Sequence, residues 1–504
     1  MNAGTPSDPH ARTTQEPGTQ TPAELAALGR VHFLGLGGVG VSGIARIMQQ
    51  RGVPISGTDA KDLPVMRELE AAGATVFVGY DAAHLDELAV DTVIASSIAG
   101  AGNPEYDAAV ARGLPVLHRS QGLAATMSGQ RVLAVAGTHG KTTTSSMAAL
   151  TFTQAGAEPS FAVGAAVAGL GTNAVAGAGE WFIAEADESD GTLLNYRPQI
   201  AILTNVEADH LDFYGTEDAV VQVFRDFIQL LPDDGVLVAC GEDAGARGLA
   251  DWARGADLDG GPGRTGPRVA TYGSDPNRSD DLVLVASESS ETTGGTGQLV
   301  TYRWADGTTT QLTLSLPGRH NALNAAAVLL AARHAGLPVE AAARGLEEFK
   351  GTARRFEFRG EAAGVRVFDD YAHHPTEVAA AIAAGRSVAE GHRVHVLFQP
   401  HLFSRTRDFA DGFAEALSAA DGVRVLPIYP AREEPIPGID SSVIAGHVRA
   451  ALPGATRVPT DTRQAVAELV ALAEPGDIVL TMGAGDVTAQ GPAVLQALTE
   501  AQRS

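Results

Sequence analysis

The chain repeats one pattern three times: a short apolar run, a turn rich in glycine or polar residues, then an alanine-rich stretch of helical length. Continuous apolar runs predict strands buried on both faces, and their alternation with helices predicts parallel α/β domains. The first segment predicts strands at 31–34, 54–56, 75–78 and 92–96, with a helix over 41–50. The second predicts strands at 132–136, 181–184, 200–204 and 236–239, and the third at 365–368, 394–398, 423–426 and 478–481. Between 257 and 297 the composition turns to Gly, Pro, Asp, Ser and Thr, which predicts loops around a short strand at 282–286. Period-two alternation at 298–304 and 311–316 predicts a small antiparallel appendage. Joints near 128–129 and 350–351 then divide the chain into a polar disordered tail (1–22) and three domains, 23–128, 129–349 and 350–504.

The chemistry sits where strands end. Gly137, Thr138, His139, Gly140, Lys141, Thr142 and Thr143 lie between an apolar strand and a helix. Backbone N–H groups and a helix N-terminus at such a turn cradle phosphate. Lys141 is placed for the β/γ oxygens and the Thr142 hydroxyl for Mg²⁺. The spacing departs from the usual phosphate loop, because Val135 stands where the first glycine belongs. The competing reading is a tight turn with a chance lysine. It is weakened by scarcity: Lys61, Lys141 and Lys350 are the only lysines.

Two acid clusters follow apolar strands, Glu185 with Asp187 and Asp190, and Glu207 with Asp209 and His210. Ligand sites of open parallel sheets lie beyond the carboxyl ends of the strands, so both clusters share the rim of the phosphate loop. Mg²⁺ takes oxygen ligands, which favours Glu185, the first acid after its strand. Asp187 and Asp190 read equally well as solvated loop charges.

In the first segment Gly35, Gly37, Gly38 and Gly40 meet the G-x-G-x-x-G spacing after a strand, and Asp59 follows the next strand. Taken alone this suggests a nicotinamide or flavin enzyme. Physically it requires only that a diphosphate approach the backbone closely, and a nucleotide sugar carries the same diphosphate. In the third segment Asp370, Tyr371, His373 and His374 follow one strand, and His401, Arg405 and Arg407 follow another. His and Arg together suit a carboxylate.

Composition narrows the classes. Lys plus Arg number 36 against 60 Asp plus Glu, a formal charge of −24, so no nucleic-acid footprint is expected. One cysteine, Cys240, forms no internal disulfide, ends an apolar run and reads as a buried strand residue. No apolar stretch is long enough to span a membrane and the tail lacks an apolar signal core, so no membrane insertion and a cytoplasmic location are expected.

The chain resembles the Mur ligase family. The matching stretches are HFLGLGGVGVSGIA at His32, AGTHGKTTT at Ala136, EADESDG at Glu185, TNVEADHLDFY at Thr204, GRHNALNAAA at Gly318, GTARRFEF at Gly351, DDYAHHPTE at Asp369, QPHLFSRTRD at Gln399 and GAGD at Gly483. They occur in family order over about residues 30 to 490. The resemblance implies a Rossmann-like UDP-binding domain, a central P-loop-type ATPase domain with a mainly parallel sheet, and a Rossmann-like C-terminal domain that closes over the site. It implies an ATP- and Mg²⁺-dependent ligase of peptidoglycan precursor synthesis, joining the carboxylate of UDP-N-acetylmuramate to L-alanine through an acyl phosphate. Rivals are a ligase adding a recycled tripeptide to the same UDP-sugar and a nicotinamide-dependent oxidoreductase. A monomer or weak homodimer is expected.

By position, the resemblance sets Gly37, Gly38, Val39 and Gly40 near the UDP diphosphate and Ser96 and Ser97 near the uridine. It gives Lys141 to the ATP phosphates, Thr142 and Glu185 to one Mg²⁺, and His210 to a second. Lys141, His210 and Glu185 carry the catalytic expectation. Asn321 and Asn324 resemble adenine contacts; their spacing puts them on one helix face, and a helix cap at Asn321 is the bland alternative. Arg355 and Asp370 match ATP contacts, while Tyr371, His373, His401 and Arg405 lie where the family receives the amino acid. Two departures matter. No lysine occurs from Thr142 to Phe349, so the carbamylated lysine of many sister ligases is absent, which fits the alanine-adding branch. Leu402 stands where some members carry arginine, leaving more of the carboxylate grip to Arg405.

Overall fold

The computed structural model describes residues 23–503 except 97–98, 256–265, 293–294, 432, 452–455 and 460. The expected tail, Ser97 and part of the 257–297 insert lie outside the described residues.

Three sheets follow one another along the chain. The first is five-stranded and wholly parallel, in the order Thr75–Val78, Ile55–Asp59, Val31–Leu34, Thr92–Ala95, Val116–His118. The central sheet has ten strands. At its middle Arg131–Ala136 lies between Pro198–Leu203 and Trp181–Glu185, parallel to both. The register pairs Val135 with Glu185 and Ala136 with Leu203. The phosphate-type turn and both acid clusters therefore leave the sheet at one edge, because all three strands run the same way. The third sheet has six strands; the hairpin Glu357–Ala362 to Val365–Asp370 gives one antiparallel edge, and the rest is parallel.

Burial explains why the phosphate turn is held rigidly. The helix Lys141–Gln154 is buried without a break from Thr142 to Phe152. It is sandwiched between the central sheet and the helices Arg319–His334 and Val339–Glu347. Its small threonines, serines and alanines allow that close approach. The helix Glu217–Gln229 is amphipathic instead and buries Phe224 and Phe227, each worth roughly 1.5–3 kcal/mol of apolar transfer.

One expectation fails. The antiparallel strands expected over 298–304 and 311–316 form, but they extend the central sheet, and the stretch read as loops around 282–286 holds a further strand. A strand at Arg268–Gly273 pairs parallel with Val236–Cys240 and joins Leu282–Thr292, itself longer than expected. The antiparallel strands Gly295–Trp304 and Thr309–Leu314 then extend the same sheet. The Gly/Pro-rich composition reflects the turns, while Val269, Ala270 and Tyr272 carry the strand. Cys240 is buried and unpaired, as its apolar run predicts.

Candidate active site

The phosphate-type turn is shaped by two glycines. Gly137 has φ +130° and Gly140 φ +81°, a region that disfavours side chains. A Cβ on Gly137 would collide with the Thr204 hydroxyl and the Asn205 backbone. The turn is stitched to the neighbouring strand end: Thr138 N–H donates to the Asn205 carbonyl at 3.0 Å and His139 N–H to Asn205 Oδ1 at 2.8 Å. Lys141 Nζ folds back on its own turn, donating to the carbonyls of Gly137 at 2.7 Å and Thr138 at 2.9 Å. It also pairs with Glu188 at 2.7 Å. Burial lowers the Lys141 pKa, but the carboxylates of Glu188, Asp187 and Glu185 outweigh it and hold the ammonium charged.

Beside the lysine, Thr142 Oγ1 donates to Glu185 Oε1 at 2.9 Å, and Gly164 N–H donates to Glu185 Oε2 at 2.7 Å. Both donors are neutral, so the carboxylate charge is left for a cation. These hard oxygens fit Mg²⁺. His210 sits at φ +57° and faces Glu188 at 3.5 Å and Asp209 at 3.7 Å. Among the described contacts none links it to Thr142 or Glu185.

Lys141, Thr142, Gly164, Glu185, Asp209 and His210 line a cavity of about 850 Å³ between the three sheets. The first sheet contributes Val39, Gly40 and Arg119; the third contributes Arg354, Arg355, Tyr371, His373 and Glu377. A smaller cavity of about 160 Å³ adjoins at Gly140 and Thr143, lined by Asn321, Asn324, Arg355 and Asp370. Asn321 Nδ2 donates to the Pro317 carbonyl at 2.8 Å, so one of the two asparagines also secures its helix start. Asp370 accepts from Phe356 N–H and Ala372 N–H, both at 2.7 Å. Burial pushes its pKa up to about 6 against the pull of Arg355.

Other expected residues stand elsewhere. Asp59 accepts from Gly37 N–H at 3.0 Å, so it fixes the glycine turn. Gly38 precedes the helix Val39–Gln50 in extended conformation. The Ser96 hydroxyl is buried, with no hydrogen-bond partner among the described residues, close behind Gly35. His401 stacks on Tyr429 and meets His373 edge-on, with ring centroids 5.9 Å apart in each case. Arg405 grips Asp209 at 3.0 and 3.3 Å across the boundary between the second and third sheets. Neither His401 nor Arg405 lines the large cavity.

Sequence reasoning gave Glu188 and Glu207 only a place in the rim acid clusters, with no individual role, and did not single out Glu377, yet each ties parts of the site together. Glu377 faces His139 at 3.4 Å, His373 at 3.2 Å and Arg355 at 3.7 Å. Its carboxylate also accepts from His373 N–H at 3.0 Å. The signal was local: a Glu two residues after Pro375, in the first turn of the helix Pro375–Ala389, is a capping pattern. Glu207 accepts from the Thr376 hydroxyl at 2.7 Å. Burial works against the His139 imidazolium, but Glu207 and Glu377 prevail and raise its pKa to about 9. Burial and the nearby His139 charge depress His374 to about 4.

Comparison with known proteins agrees in order and extent. Residues 30–131 match the Mur ligase family catalytic domain, 135–332 the Mur ligase middle domain, and 354–485 the Mur ligase glutamate ligase domain. The chain is 55% identical over 480 residues to a UDP-N-acetylmuramate–L-alanine ligase of Paenarthrobacter aurescens, covering 95% of this chain and 99% of that one. It is 48% identical to the protein of the same name from Mycobacterium marinum, covering 95% and 96%. Among solved structures, a UDP-N-acetylmuramate–alanine ligase of Thermotoga maritima superposes with a TM-score of 0.73 at 24% identity, covering 94% and 99%. A murein peptide ligase of Psychrobacter arcticus gives 0.64 at 25% identity, with the same coverage. Three matches in sequence order, over a fold whose strand ends converge on one cavity, establish that this chain belongs to the Mur ligase family.

Proposed function

We propose that the chain is an ATP-dependent ligase that joins the carboxylate of UDP-N-acetylmuramate to the amine of L-alanine through an acyl phosphate. The observation that carries the chemistry is the Lys141 ammonium held beside the Thr142–Glu185 oxygen pair in the wall of the cavity. The substrate pair is supported by the name of relatives at 55% and 48% identity. We assign residues 23–128 to the UDP moiety, 129–349 to ATP, and 350–504 to closure and the amino acid.

Thr142 and Glu185 would hold Mg²⁺, with His210 assigned to a second ion; bound there, the metal supplies positive charge beside the transferring phosphoryl. Lys141 exchanges its loop carbonyls for the ATP phosphates and offsets charge as the muramoyl carboxylate attacks the γ-phosphorus in line and the bond to the departing ADP breaks, giving the acyl phosphate. Asn321 and Asn324 face the adenine from the smaller cavity, and Arg355 reaches the phosphates from the third domain. In the second step the alanine amine attacks the acyl phosphate, and phosphate leaves as the tetrahedral intermediate collapses. His373 is the base we assign. The Tyr371 carbonyl lies 3.0 Å from its Nδ1 and can only accept, so the proton sits there and Nε2 is left to take the amine proton. Closure of the third domain excludes water that would hydrolyse the acyl phosphate.

The test is phosphate release in arms with UDP-N-acetylmuramate plus L-alanine, glycine, L-serine or the tripeptide. Release that requires both the UDP-sugar acid and L-alanine supports the reading. Release without an acceptor, a preference for the tripeptide, or a nicotinamide absorbance change would overturn it.

A further inference from the structure

The ligase reading uses the backbone of the phosphate turn and leaves one side-chain cluster unexplained. His139 Nε2 lies 3.6 Å from Glu207 Oε2, and His374 Nδ1 lies 3.9 Å from the same oxygen. One ligand atom from each residue falls within 4.8 Å of the others. Tetrahedral bonds of about 2.0–2.1 Å set ligand atoms roughly 3.3 Å apart, so only a small contraction is needed. His139 is 8% exposed and His374 5%. Among the described residues no hydrogen-bond partner lies within 3.5 Å of His139 Nε2 or of either His374 ring nitrogen in good geometry, and these atoms are buried. Outer partners are in place as well. Glu377 Oε1 faces the other nitrogen of His139 at 3.4 Å, and the Thr376 hydroxyl orients Glu207 at 2.7 Å. A carboxylate behind a ligating imidazole is the usual support of such sites.

We propose that His139, Glu207 and His374 form a binding site for a borderline transition-metal ion of the Zn²⁺ class, separate from the oxygen-rich Mg²⁺ position. Two imidazoles and one carboxylate suit Zn²⁺ and are poor ligands for Mg²⁺. The ligands come from two bodies. His139 and Glu207 leave the central sheet, whereas His374 opens a helix of the C-terminal one. A bound ion therefore cross-links the phosphate turn to the closing domain and slows the opening that turnover requires. Nothing in the ligase reading predicts this site, and it is tested without substrates, so either can fail alone.

The experiment titrates Zn²⁺ into the full chain against a chromophoric chelator, with excess Mg²⁺ filling oxygen sites. One tight Zn²⁺ per chain is expected. His374→Gln should weaken it by more than the roughly tenfold that losing even an outer partner costs. Glu207→Gln, which keeps an acceptor for Thr376, should do the same and serves if the first variant folds poorly. Co²⁺ on the unaltered chain should give the intense visible bands of tetrahedral nitrogen–oxygen ligation. A weak octahedral spectrum, or equal Zn²⁺ affinity in a folded variant and the parent, would refute the site and leave an ion-paired contact only.

Discussion

Arg405 offers the sharpest choice between two physical accounts. The sequence places it where an amino-acid carboxylate arrives, whereas the structure ties it to Asp209 at 3.0 and 3.3 Å, with side chains 10% and 8% exposed. On the second account the pair holds the third domain against the central one. The perturbation is Asp209→Asn. Breaking one partner of a buried pair costs about 3–5 kcal/mol. Here the cost falls on the closed arrangement, because an open one returns both groups to water. Asparagine also retains an acceptor for the guanidinium, so about half, or 1.5–2.5 kcal/mol, is the expected penalty. At about 1.4 kcal/mol per factor of ten, closure becomes roughly 10- to 70-fold less favourable. The assay is kcat/KM for phosphate release with each substrate in turn, alongside the radius of gyration from X-ray scattering with an ATP analogue bound. A 10- to 70-fold loss shared by all substrates, with a larger radius, is expected. Arg405→Gln should add little on top of Asp209→Asn, since the two act as one unit. If Asp209→Asn is within twofold of the parent, and Arg405→Gln raises only the amino-acid KM, the closure account is wrong and the carboxylate account stands.

Other outcomes follow from the same contacts. Lys141→Ala should abolish phosphoryl transfer, by on the order of 10³-fold or more, yet spare UDP-N-acetylmuramate binding by calorimetry; joint loss of both would contradict the division of labour. Gly137→Ala should weaken ATP binding by about 1–3 kcal/mol, because its φ of +130° and the Thr204 wall leave no room for a Cβ; unchanged affinity would show that the turn relaxes freely. In the metal-free chain, kept so with a chelator, Glu207 and Glu377 raise the His139 pKa to about 9 from an ordinary 6.5. A raised imidazole stabilises fully below about 6.5 and loses that contribution as pH climbs through about 9, on the order of 3 kcal/mol at most. The thermal midpoint should therefore fall between pH 6.5 and 9, and His139→Asn should flatten that slope.

What could be read from the sequence was whatever one strand and its following turn decide. Strand limits such as Val394–Phe398, the phosphate turn and the rim position of Glu185 all follow from apolar runs and the rule that sites lie beyond carboxyl strand ends. The Arg268–Gly273 strand escaped because its run of strand-forming residues is short and set between turn-rich flanks; pairing with Val236–Cys240 reveals it. Pairings across bodies escaped for a different reason. Arg405 and Asp209 stand 196 residues apart, and Glu207 and Thr376 169. No periodicity constrains such pairs, since they depend on how one rim is laid over another. The same separation explains their chemistry. A rim residue satisfied within its own body can only bind, whereas one whose partner lies on the opposite body senses whether the cavity is closed. Glu377 belongs to the second kind: its helix fixes its place, but its carboxylate meets the phosphate-turn histidine only across the gap. Such residues would connect nucleotide occupancy to domain position, and substituting them should change substrates together, where cavity-lining residues change them one at a time.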